Sequence, residues 1–275
     1  MTTEPNFLQV NGAELYFQDR GSGFPVVLVH AGIAHSGMWD PQVEFLAKNY
    51  RVITYDLRGF GKSLPVPGEF AHYLDLVSVL DQLGIDRCIL TGCSKGGGVI
   101  LDAALAVPEK IAGLIVVAGI AHGLNLDEEP LPPPQWEEAV RAFQEGDLAR
   151  TNELEVQMWV DGYGQPVGRA DQHVRETIRQ MNEIALKNEK AAVGAAESVL
   201  EPKAGERLRE ISVPAYLING DLDEPIITTA LNTMAAEIPQ ASREIIRDAA
   251  HFPNLEKPAK FNQLIGEFIF QNEKN

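Results

Sequence analysis

One serine of this chain lies in a turn of small residues that is typical of a catalytic nucleophile. Ser94 belongs to the segment Gly92–Gly98, GCSKGGG, which follows an apolar strand pattern and precedes a helical one. A serine at such a sharp strand-to-helix turn is exposed and strained, so positions two before it and two or three after it must be small. Gly92, Gly96 and Gly97 meet this requirement. The alternative is a flexible turn that cradles phosphate, but no Gly-Lys-Ser/Thr sequence follows and the glycine spacing of dinucleotide-binding turns is absent.

A serine hydroxyl is a weak nucleophile at neutral pH, so Ser94 needs a histidine to accept its proton and a carboxylate to orient that histidine. His251 lies near the C-terminus, after a predicted strand and just before a predicted helix. Asp223 follows another apolar strand, within the sequence NGDLDEP. Asp221 is nearer to the strand end, where it would cap the turn, and Glu224 precedes a proline in an extended setting where we expect it to be solvated. We therefore expect Ser94, Asp223 and His251 to form a catalytic triad.

Attack by a serine on a carbonyl carbon creates an oxyanion, which backbone N–H groups stabilise. Lys95 begins the helix after the serine, so its N–H is expected to point toward the site at the positive end of the helix dipole. The lysine side chain need not take part. A second donor is expected from the loop after an earlier strand, residues 29–39. Gly32 allows the backbone to approach a substrate oxygen closely, and the N–H of either Gly32 or Ile33 is a candidate.

The elements that must position these residues alternate along the chain. Apolar runs bounded by turn residues predict seven strands: Leu15–Gln18, Val26–His30, Arg51–Asp56, Cys88–Thr91, Ile111–Ala118, Ala215–Asn219 and Arg243–Ile246. Segments with a helical period lie between them: Trp39–Lys48, Tyr73–Leu83, Gly96–Val107, Thr228–Glu237 and Pro258–Phe270. This alternation is typical of a mostly parallel sheet covered by helices.

The region from 120 to 210 interrupts the alternation, because it contains no convincing strand. Its apolar stripes predict four helices: Trp136–Phe143, Leu148–Trp159, Ala170–Ile184 and Ala191–Val199. We expect a core domain of residues 1–119 and 211–275, with residues 120–210 inserted as a helical cap over the carboxyl edge of the sheet. An appendage that only adds stability is the alternative. Trp136, Met158 and Trp159 could line an apolar substrate pocket, although at helical spacing they could equally pack the cap onto the core.

Charge and composition argue against several classes of partner. The 275 residues include 39 acidic and 23 basic side chains, a formal charge of −16. Nucleic acid or an anionic membrane would require a face rich in lysine and arginine, and no such run occurs. No apolar stretch approaches the roughly 20 residues of a spanning helix. Cys88 and Cys93 have poor spacing for a disulfide framework, which fits a cytoplasmic setting. We expect a monomer or homodimer that acts on a small molecule.

The remaining histidines form no metal-ligand pattern. The sequence has no His-Glu-x-x-His motif, and His30 and His35 lack a carboxylate at suitable spacing. His72, His122 and His173 are expected to be surface or packing residues. The sequence therefore predicts neither a metal nor a cofactor.

Together, the serine turn, the histidine loop and the acid loop resemble the α/β-hydrolase superfamily, in its branch with a serine nucleophile and a helical lid. Two further segments share the resemblance: Tyr55–Ser63, YDLRGFGKS, and Met38–Gln42, MWDPQ, which is similar to small esterases and enol-lactonases. The resemblance implies an eight-stranded, mostly parallel sheet flanked by helices, with a helical cap after the sixth strand. It also implies that Ser94 is the nucleophile, Asp223 the acid and His251 the base.

Some positions depart from the family pattern. The sequence HAG, residues 30–32, stands where the family has a His-Gly pair, and this leaves the second oxyanion donor open. Cys93 and Lys95 flank the serine, where relatives carry a histidine and an apolar residue. Asp56 and Arg58 lie in the family's turn after the fourth strand, so the resemblance implies that they brace loops.

The resemblance implies a serine hydrolase that cleaves a carboxylic ester or lactone of a small, moderately apolar substrate through an acyl-enzyme. The serine argues against the dehalogenase and epoxide-hydrolase branches, which use an aspartate. Two kinds of alternative use the same triad. One is a cofactor-free C–C hydrolase, lyase or perhydrolase, and the other is a ligand receptor with slow turnover.

Overall fold

The computed structural model describes residues 6–126 and 131–274, which contain ten strands and nine α-helices. The strands are β1 (Asn6–Val10), β2 (Ala13–Gly21), β3 (Pro25–Val29), β4 (Arg51–Tyr55), β5 (Gly68–Phe70), β6 (Cys88–Cys93), β7 (Ile111–Val117), β8 (Ala195–Glu197), β9 (Ala215–Gly220) and β10 (Ala241–Ile246). The helices are α1 (Asp40–Leu46), α2 (His72–Gln82), α3 (Lys95–Ala106), α4 (Trp136–Glu145), α5 (Leu148–Val156), α6 (Gln172–Ala191), α7 (Pro225–Glu237), α8 (Pro253–Glu256) and α9 (Pro258–Asn272).

Eight strands form one large sheet in the order β1-β2-β4-β3-β6-β7-β9-β10. Strand β2 runs antiparallel to both of its neighbours, and the other strand pairs of this sheet are parallel. This confirms the predicted eight-stranded, mostly parallel sheet. All seven strands expected from apolar runs lie in it. Strand β1 escapes sequence prediction because its five residues lie at the sheet edge, mostly exposed, and form a weak apolar pattern.

Alternate side chains of each central strand enter two different hydrophobic layers. In β3, Val27 and Val29 lie in the layer formed with helices α2, α3 and α7, whereas Val26 and Leu28 lie in the layer formed with α1 and α9. All four side chains are fully buried. Burial on both faces explains why β3, β6 and β7 are nearly continuous apolar runs. Since parallel strands end at the same edge of a sheet, the loops that follow them are brought together there.

In the described part of the segment between β7, the sixth strand of the large sheet, and β9, the chain forms three α-helices. Helix α4 packs against α5, and α5 packs against α6. The segment Gln157–Asp161, which continues α5, is a π-helix, so the end of the predicted helix Leu148–Trp159 has a different backbone form. Helix α6 extends to Ala191, beyond its predicted end at Ile184.

The predicted helix Ala191–Val199 is wrong, and so is the expectation that residues 120–210 contain no strand. Strand β8 pairs in parallel with β5, forming a separate two-stranded sheet. Gly194, at φ +79°, turns the chain out of the helical path in a left-handed conformation that glycine adopts readily. Its carbonyl accepts a hydrogen bond from the N–H of Gly68. The partner strand is distant in sequence, so local periodicity does not reveal the pairing.

Candidate active site

Ser94 lies at the junction between β6 and α3, in the backbone conformation expected of a sharp turn. Its φ is +50° and its ψ −114°, outside the regions that a side-chain-bearing residue adopts comfortably. The turn is held by backbone hydrogen bonds: the N–H of Ser94 donates to the carbonyl of Val117 at 2.8 Å, and the N–H of Gly97 donates to the carbonyl of Ser94 at 2.9 Å. The half-buried serine therefore sits on a rigid junction of the sheet.

The glycines around Ser94 are required by close backbone contacts. A Cβ placed on Gly92 would lie 2.2 Å from the carbonyl oxygen of Gly96, and one on Gly96 would lie 2.4 Å from that of Val29. A Cβ on Gly97 would lie 2.8 Å from the Cα of Gly119. None of these neighbours is a flexible side chain that could move aside. The spacing seen in the sequence is thus a packing requirement between β6, α3 and the adjoining loops.

His251 and Asp223 come from two different loops and meet beneath the cavity. The Nδ1 of His251 lies 2.9 Å from Oδ1 and 3.1 Å from Oδ2 of Asp223. Both side chains are almost fully buried, at 3% and 1% exposure. With Nδ1 facing the carboxylate, Nε2 is the nitrogen left to accept a proton. Ser94 and His251 line the same cavity.

The other two carboxyls of the acid loop are placed differently. Asp221 is exposed, and its N–H donates to the carbonyl of Ile246. The expectation that Glu224 is solvated is wrong, because the turn packs its side chain into the protein at 5% exposure. Its backbone N–H donates to Oδ1 of Asp223 at 2.8 Å, which helps to orient that carboxylate. Burial raises the pKa of the Glu224 carboxyl to about 7, while the neighbouring His251 opposes the shift. Among these three carboxyls, Asp223 is the one that contacts the histidine.

A cavity of about 510 Å³ is lined by Ser94 and His251 and also by residues of the segment 120–210. Both Trp136 and Trp159 line it. The ring of Trp159 lies 4.7 Å from that of His251, centroid to centroid, and its carbonyl accepts the N–H of His251 at 3.2 Å. Trp159 belongs to the π-helical segment, a backbone form that is often found at functional sites.

Met158 is placed elsewhere than the other two substrate-pocket candidates. Its side chain is 2% exposed and packs with Ala139 and Leu154. It lines a separate cavity of about 190 Å³, to which residues of α4, α5 and α6 contribute, and it is not among the residues that line the large cavity. The reason is direction: Trp159 faces the histidine, so the preceding residue faces another side of its helix.

The loop 29–39 brings both candidates for the second oxyanion donor to the cavity wall, where Gly32 and Ile33 lie with Ser94 and Lys95. The N–H of Lys95 is at the first residue of α3, where a helix offers no carbonyl partner from its own preceding turn. The loop is supported by the buried His30, whose Nδ1 lies 2.8 Å from the carbonyl of Ala31. Its Nε2 accepts the N–H of Leu57 at 2.8 Å. Burial lowers the pKa of His30 to about 4, so the ring supports the loop in its neutral form.

Asp56 and Arg58 brace loops, as the family resemblance implies. The carboxylate of Asp56 accepts the N–H of Ser36 at 2.9 Å and the N–H of Lys62 at 2.8 Å. Arg58 forms two hydrogen bonds of 3.0 Å to Asp75. These contacts hold the loops after β3 and β4 beside the cavity.

Sequence reasoning missed a polar cluster in the cavity wall. The side chain of Lys95, for which the sequence required no role, donates from Nζ to Oε2 of Glu197 at 2.6 Å. His72, expected at the surface or in packing, is 2% exposed and lines the cavity. Burial, and then the positive charge of Lys95, hold the pKa of His72 well below its usual value. The signal that could have revealed the cluster is the departure at Lys95, a charge where relatives carry an apolar residue.

Within residues 6–126 and 131–274, no group of three or more His, Cys, Asp and Glu side chains could hold a metal ion. No helix in that part of the chain is long and apolar enough to cross a membrane.

A family comparison decides how this arrangement is classified. The model of the alpha/beta hydrolase family matches residues 26–264 of the chain. The chain belongs to this family. The family resemblance indicated by the sequence motifs is thereby confirmed.

Several relatives match over most of their length. The pimeloyl-[acyl-carrier protein] methyl ester esterase of Aeromonas hydrophila is 28% identical over 254 residues, which cover 90% of this chain and 96% of the relative. The 3-oxoadipate enol-lactonase 1 of Acinetobacter baylyi is 26% identical over 236 residues, covering 85% and 84%. A thermophilic esterase from Thermogutta terrifontis has a solved structure that superposes with a TM-score of 0.77, at 28% identity, covering 98% of this chain and 100% of that one. The family includes enzymes that cleave esters and lactones.

Proposed function

We propose that this protein is a carboxylic ester hydrolase that cleaves a small, moderately apolar ester or lactone through an acyl-enzyme. The observation that carries the proposal is the contact of His251 with Asp223 at 2.9 Å, below a cavity that Ser94 and His251 both line. Its volume, about 510 Å³, is within the range of small-molecule sites. Relatives that are named as a methyl ester esterase and an enol-lactonase support the same reaction type.

In the first half of the proposed reaction, Ser94 Oγ attacks the carbonyl carbon of the substrate while His251 Nε2 takes the hydroxyl proton. Asp223 stabilises the resulting imidazolium through Nδ1 and holds the ring in place. His251 then gives the proton to the leaving alcohol, and the acyl group remains on the serine. For a lactone, the alcohol stays attached to the same molecule.

In the second half, water attacks the acyl-enzyme with the same histidine as base, and the acid is released. The negative oxygen of both tetrahedral intermediates is held by the N–H of Lys95 and by a second N–H, from Gly32 or Ile33. Losing one such donor in enzymes of this kind costs about 3 kcal/mol of transition-state stabilisation.

We propose residues 1–119 and 211–275 as the catalytic core and 120–210 as a cap that selects the substrate. Trp136 and Trp159 contribute its apolar wall. Two free cysteines, both buried, fit a reducing compartment, and we propose a cytoplasmic location for a monomer or homodimer.

Active-site labelling followed by product analysis tests the proposal. The protein is treated with a fluorophosphonate and the modified residue is located by mass spectrometry. Hydrolysis of p-nitrophenyl acetate and butyrate is measured in parallel for the wild type, Ser94→Ala and the control Ser212→Ala, an exposed serine outside the cavity. We expect a single adduct on Ser94 and loss of turnover in Ser94→Ala alone. When hydrolysis is run in oxygen-labelled water, we expect one labelled oxygen in the acid product.

An unlabelled Ser94 with no turnover would contradict the proposal and would favour a ligand receptor. If the fluorophosphonate labels Ser94 but the reaction products come from cleavage of a C–C bond, the proposed ester hydrolysis would be replaced by a lyase or C–C hydrolase reaction on the same triad. Hundreds of turnovers per molecule would exclude the receptor.

A further inference from the structure

The residue after the proposed nucleophile places a cation in the cavity wall. The side chain of Lys95 passes beside Gly32 of the loop 29–39. A Cβ placed on Gly32 would lie 3.7 Å from the lysine Cβ and 3.8 Å from its Cδ. The ammonium ends 2.6 Å from Oε2 of Glu197, and both residues line the cavity. The lysine side chain is 26% exposed and the glutamate 31%, so the pair is accessible from the cavity.

Glu197 is held at this point by backbone pairing across the fold. It lies opposite Phe70 in the β5–β8 pair, and the N–H of Ser198 donates to the Phe70 carbonyl at 2.8 Å. His72 packs against the same place, with Nε2 3.8 Å from Oε2 of Glu197 and its ring 5.0 Å from that of Phe70. The Nδ1 of His72 is buried and has no hydrogen-bond partner among the described residues. The pair is thus built into a fixed wall.

The charges around the cavity disfavour an anionic substrate group. Arg58 also lines the cavity, but its charge is matched by the two hydrogen bonds to Asp75. The remaining charged lining residues are one lysine and three glutamates: Lys95, Glu155, Glu189 and Glu197. Burial raises the pKa of Glu155 to about 7, with the charge of Glu189 adding to the shift, so Glu155 is partly protonated near neutral pH. A substrate carboxylate that approached the ammonium would still meet like charge at Glu197, whose Oε2 lies 2.6 Å from the lysine Nζ.

The Lys95–Glu197 pair has unused hydrogen-bonding capacity of both kinds. An ammonium has three donors, and Glu197 is its one partner among the residues that the structure describes. A carboxylate accepts about four hydrogen bonds. A hydroxyl or a primary amide can accept from the first and donate to the second. An alkyl chain at the same place would remove water from the pair and return no hydrogen bond.

We propose that Lys95 and Glu197 bind an uncharged hydroxyl or primary amide group of the substrate, so that the ester cleaved at Ser94 carries such a group. This inference rests on the proposed function and narrows its substrate class. Sites that hydrogen-bond a substrate hydroxyl reject the analogue lacking it far more strongly than apolar pockets reject a missing methylene. Lys95 and Glu197 then set specificity, while the backbone N–H of Lys95 serves the chemistry.

Matched pairs of esters test this proposal. In the acyl half, kcat/KM is compared between methyl 3-hydroxybutyrate and methyl 3-methylbutyrate, and between monomethyl succinate and methyl valerate. In the alcohol half, propyl butyrate is compared with 2-hydroxyethyl butyrate. We expect the hydroxylated ester of at least one pair to be preferred about tenfold over its alkyl counterpart, and monomethyl succinate to be the poorest acyl substrate.

The same ratios are measured in Lys95→Met, Glu197→Gln and the double variant. Lys187→Met is the control, because Lys187 forms a pair of the same length, 2.6 Å, with Glu183 on the exposed face of α6. The ratio of kcat/KM for the hydroxylated ester to kcat/KM for its alkyl counterpart, measured in one variant, does not depend on the amount of folded enzyme. We expect the hydroxyl preference to fall to about one in both single variants, with no further fall in the double variant, and to persist in Lys187→Met.

Three outcomes would overturn the inference: no hydroxyl preference in the wild type, a preference that survives both substitutions, or a preference for monomethyl succinate that Lys95→Met abolishes. The last would make Lys95 an anion site. In each case Ser94-dependent hydrolysis of the alkyl esters would leave the proposed function standing. Absence of that hydrolysis would remove the proposed function together with the inference.

Discussion

At the scale of single residues, surroundings decide which of several similar groups can react. Cys93 and Ser94 are neighbours, but the thiol is fully buried, and burial raises its pKa well above the usual value, with the charge of Asp223 adding to the shift. The thiol therefore stays protonated and outside the cavity, whereas Ser94 lines it. The same applies to the carboxyls: Asp223 contacts His251, and Asp221 is exposed.

Replacing the two aspartates separates these roles. Asp223→Asn is expected to lower kcat by three to four orders of magnitude, roughly, because an amide favours the wrong tautomer of His251 and does not stabilise its cation. Asp221→Asn is expected to change kcat by about twofold or less, since the residue is exposed and its hydrogen bond uses the backbone N–H. Kinetics with p-nitrophenyl butyrate measure both, and circular dichroism checks the fold. Equal losses of kcat in the two variants would mean that the assignment of Asp223 as the triad acid is wrong.

At the scale of elements, the junction of β6 with α3 depends on close backbone approach. Gly96 touches the end of β3 so tightly that a Cβ would meet the carbonyls of Val29 and His30 at 2.4 and 2.6 Å. Gly32, in the loop after β3, has room for a Cβ at an ordinary 3.7 Å from Lys95. Gly96, packed against the end of β3, and Gly32, on the cavity wall, therefore differ in what they do for the fold.

Gly96→Ala is expected to destabilise the fold by about 3 kcal/mol, because backbone rather than a side chain must move. Gly32→Ala, the matched control, is expected to change stability by about 0.5 kcal/mol or less. Urea unfolding of both variants gives the two free energies. Equal destabilisation would mean that the β6–α3 junction is looser than these contacts require.

A second set of contacts joins the π-helical segment to the histidine loop. Arg169 donates to the carbonyls of Val160 and Asp161, both at 2.7 Å, and pairs with Glu256 at 2.5 Å. Glu256 in turn accepts the N–H of Ala250 at 2.7 Å, next to His251. The arginine thus positions Trp159 and His251, the proposed general base, relative to one another without reaching the cavity lining.

Arg169→Met is expected to lower kcat about tenfold with a smaller change in KM, because the histidine loop loses its alignment while the binding wall keeps its residues. Arg150→Met is the control, since Arg150 pairs with Glu138 at the exposed surface of the segment 120–210. Steady-state kinetics separate kcat from KM. A change confined to KM, or an equal effect of both substitutions, would argue against a positioning role.

At the scale of the whole molecule, the formal charge of −16 means that the folded state already carries strong self-repulsion. A carboxyl that must ionise inside the protein lowers the free energy of unfolding further. Glu155 has a pKa raised from 4.5 to about 7, mainly by burial, although Asn182 donates to it at 2.6 Å. Between these two pH values the folded protein binds a proton that the unfolded chain has lost. Stability therefore falls as pH rises from about 4.5 through 7, and this contribution levels off above 7.

Glu155→Gln is expected to remove that fall, because the amide stays neutral and keeps an acceptor for Asn182. At pH 8 the variant should be more stable than the wild type by on the order of 2 kcal/mol, and at pH 5 the difference should be smaller. Glu206→Gln, at an exposed carboxyl, controls for the change in net charge. Urea unfolding from pH 5 to 8 provides the measurement. A pH-independent difference between Glu155→Gln and wild type would contradict the assignment.

Local sequence determined much of the fold because its causes are local. Burial on both faces makes the central strands continuous apolar runs, so all seven predicted strands lie in the sheet, while the exposed edge strand β1 has no such pattern. The turn at Ser94 is likewise determined by its glycines, since a Cβ on Gly92 or Gly96 would collide with backbone.

Only the tertiary structure decided contacts between distant segments. It brought Asp223, the carboxylate that the sequence favoured, within 2.9 Å of His251, and it turned Met158 away from the cavity that Trp159 lines. It also paired β8 with β5, where a helix was predicted, and so brought Glu197 to Lys95 across 102 residues of sequence. Periodicity reports which face of an element is apolar, whereas a partner in space depends on how the elements pack.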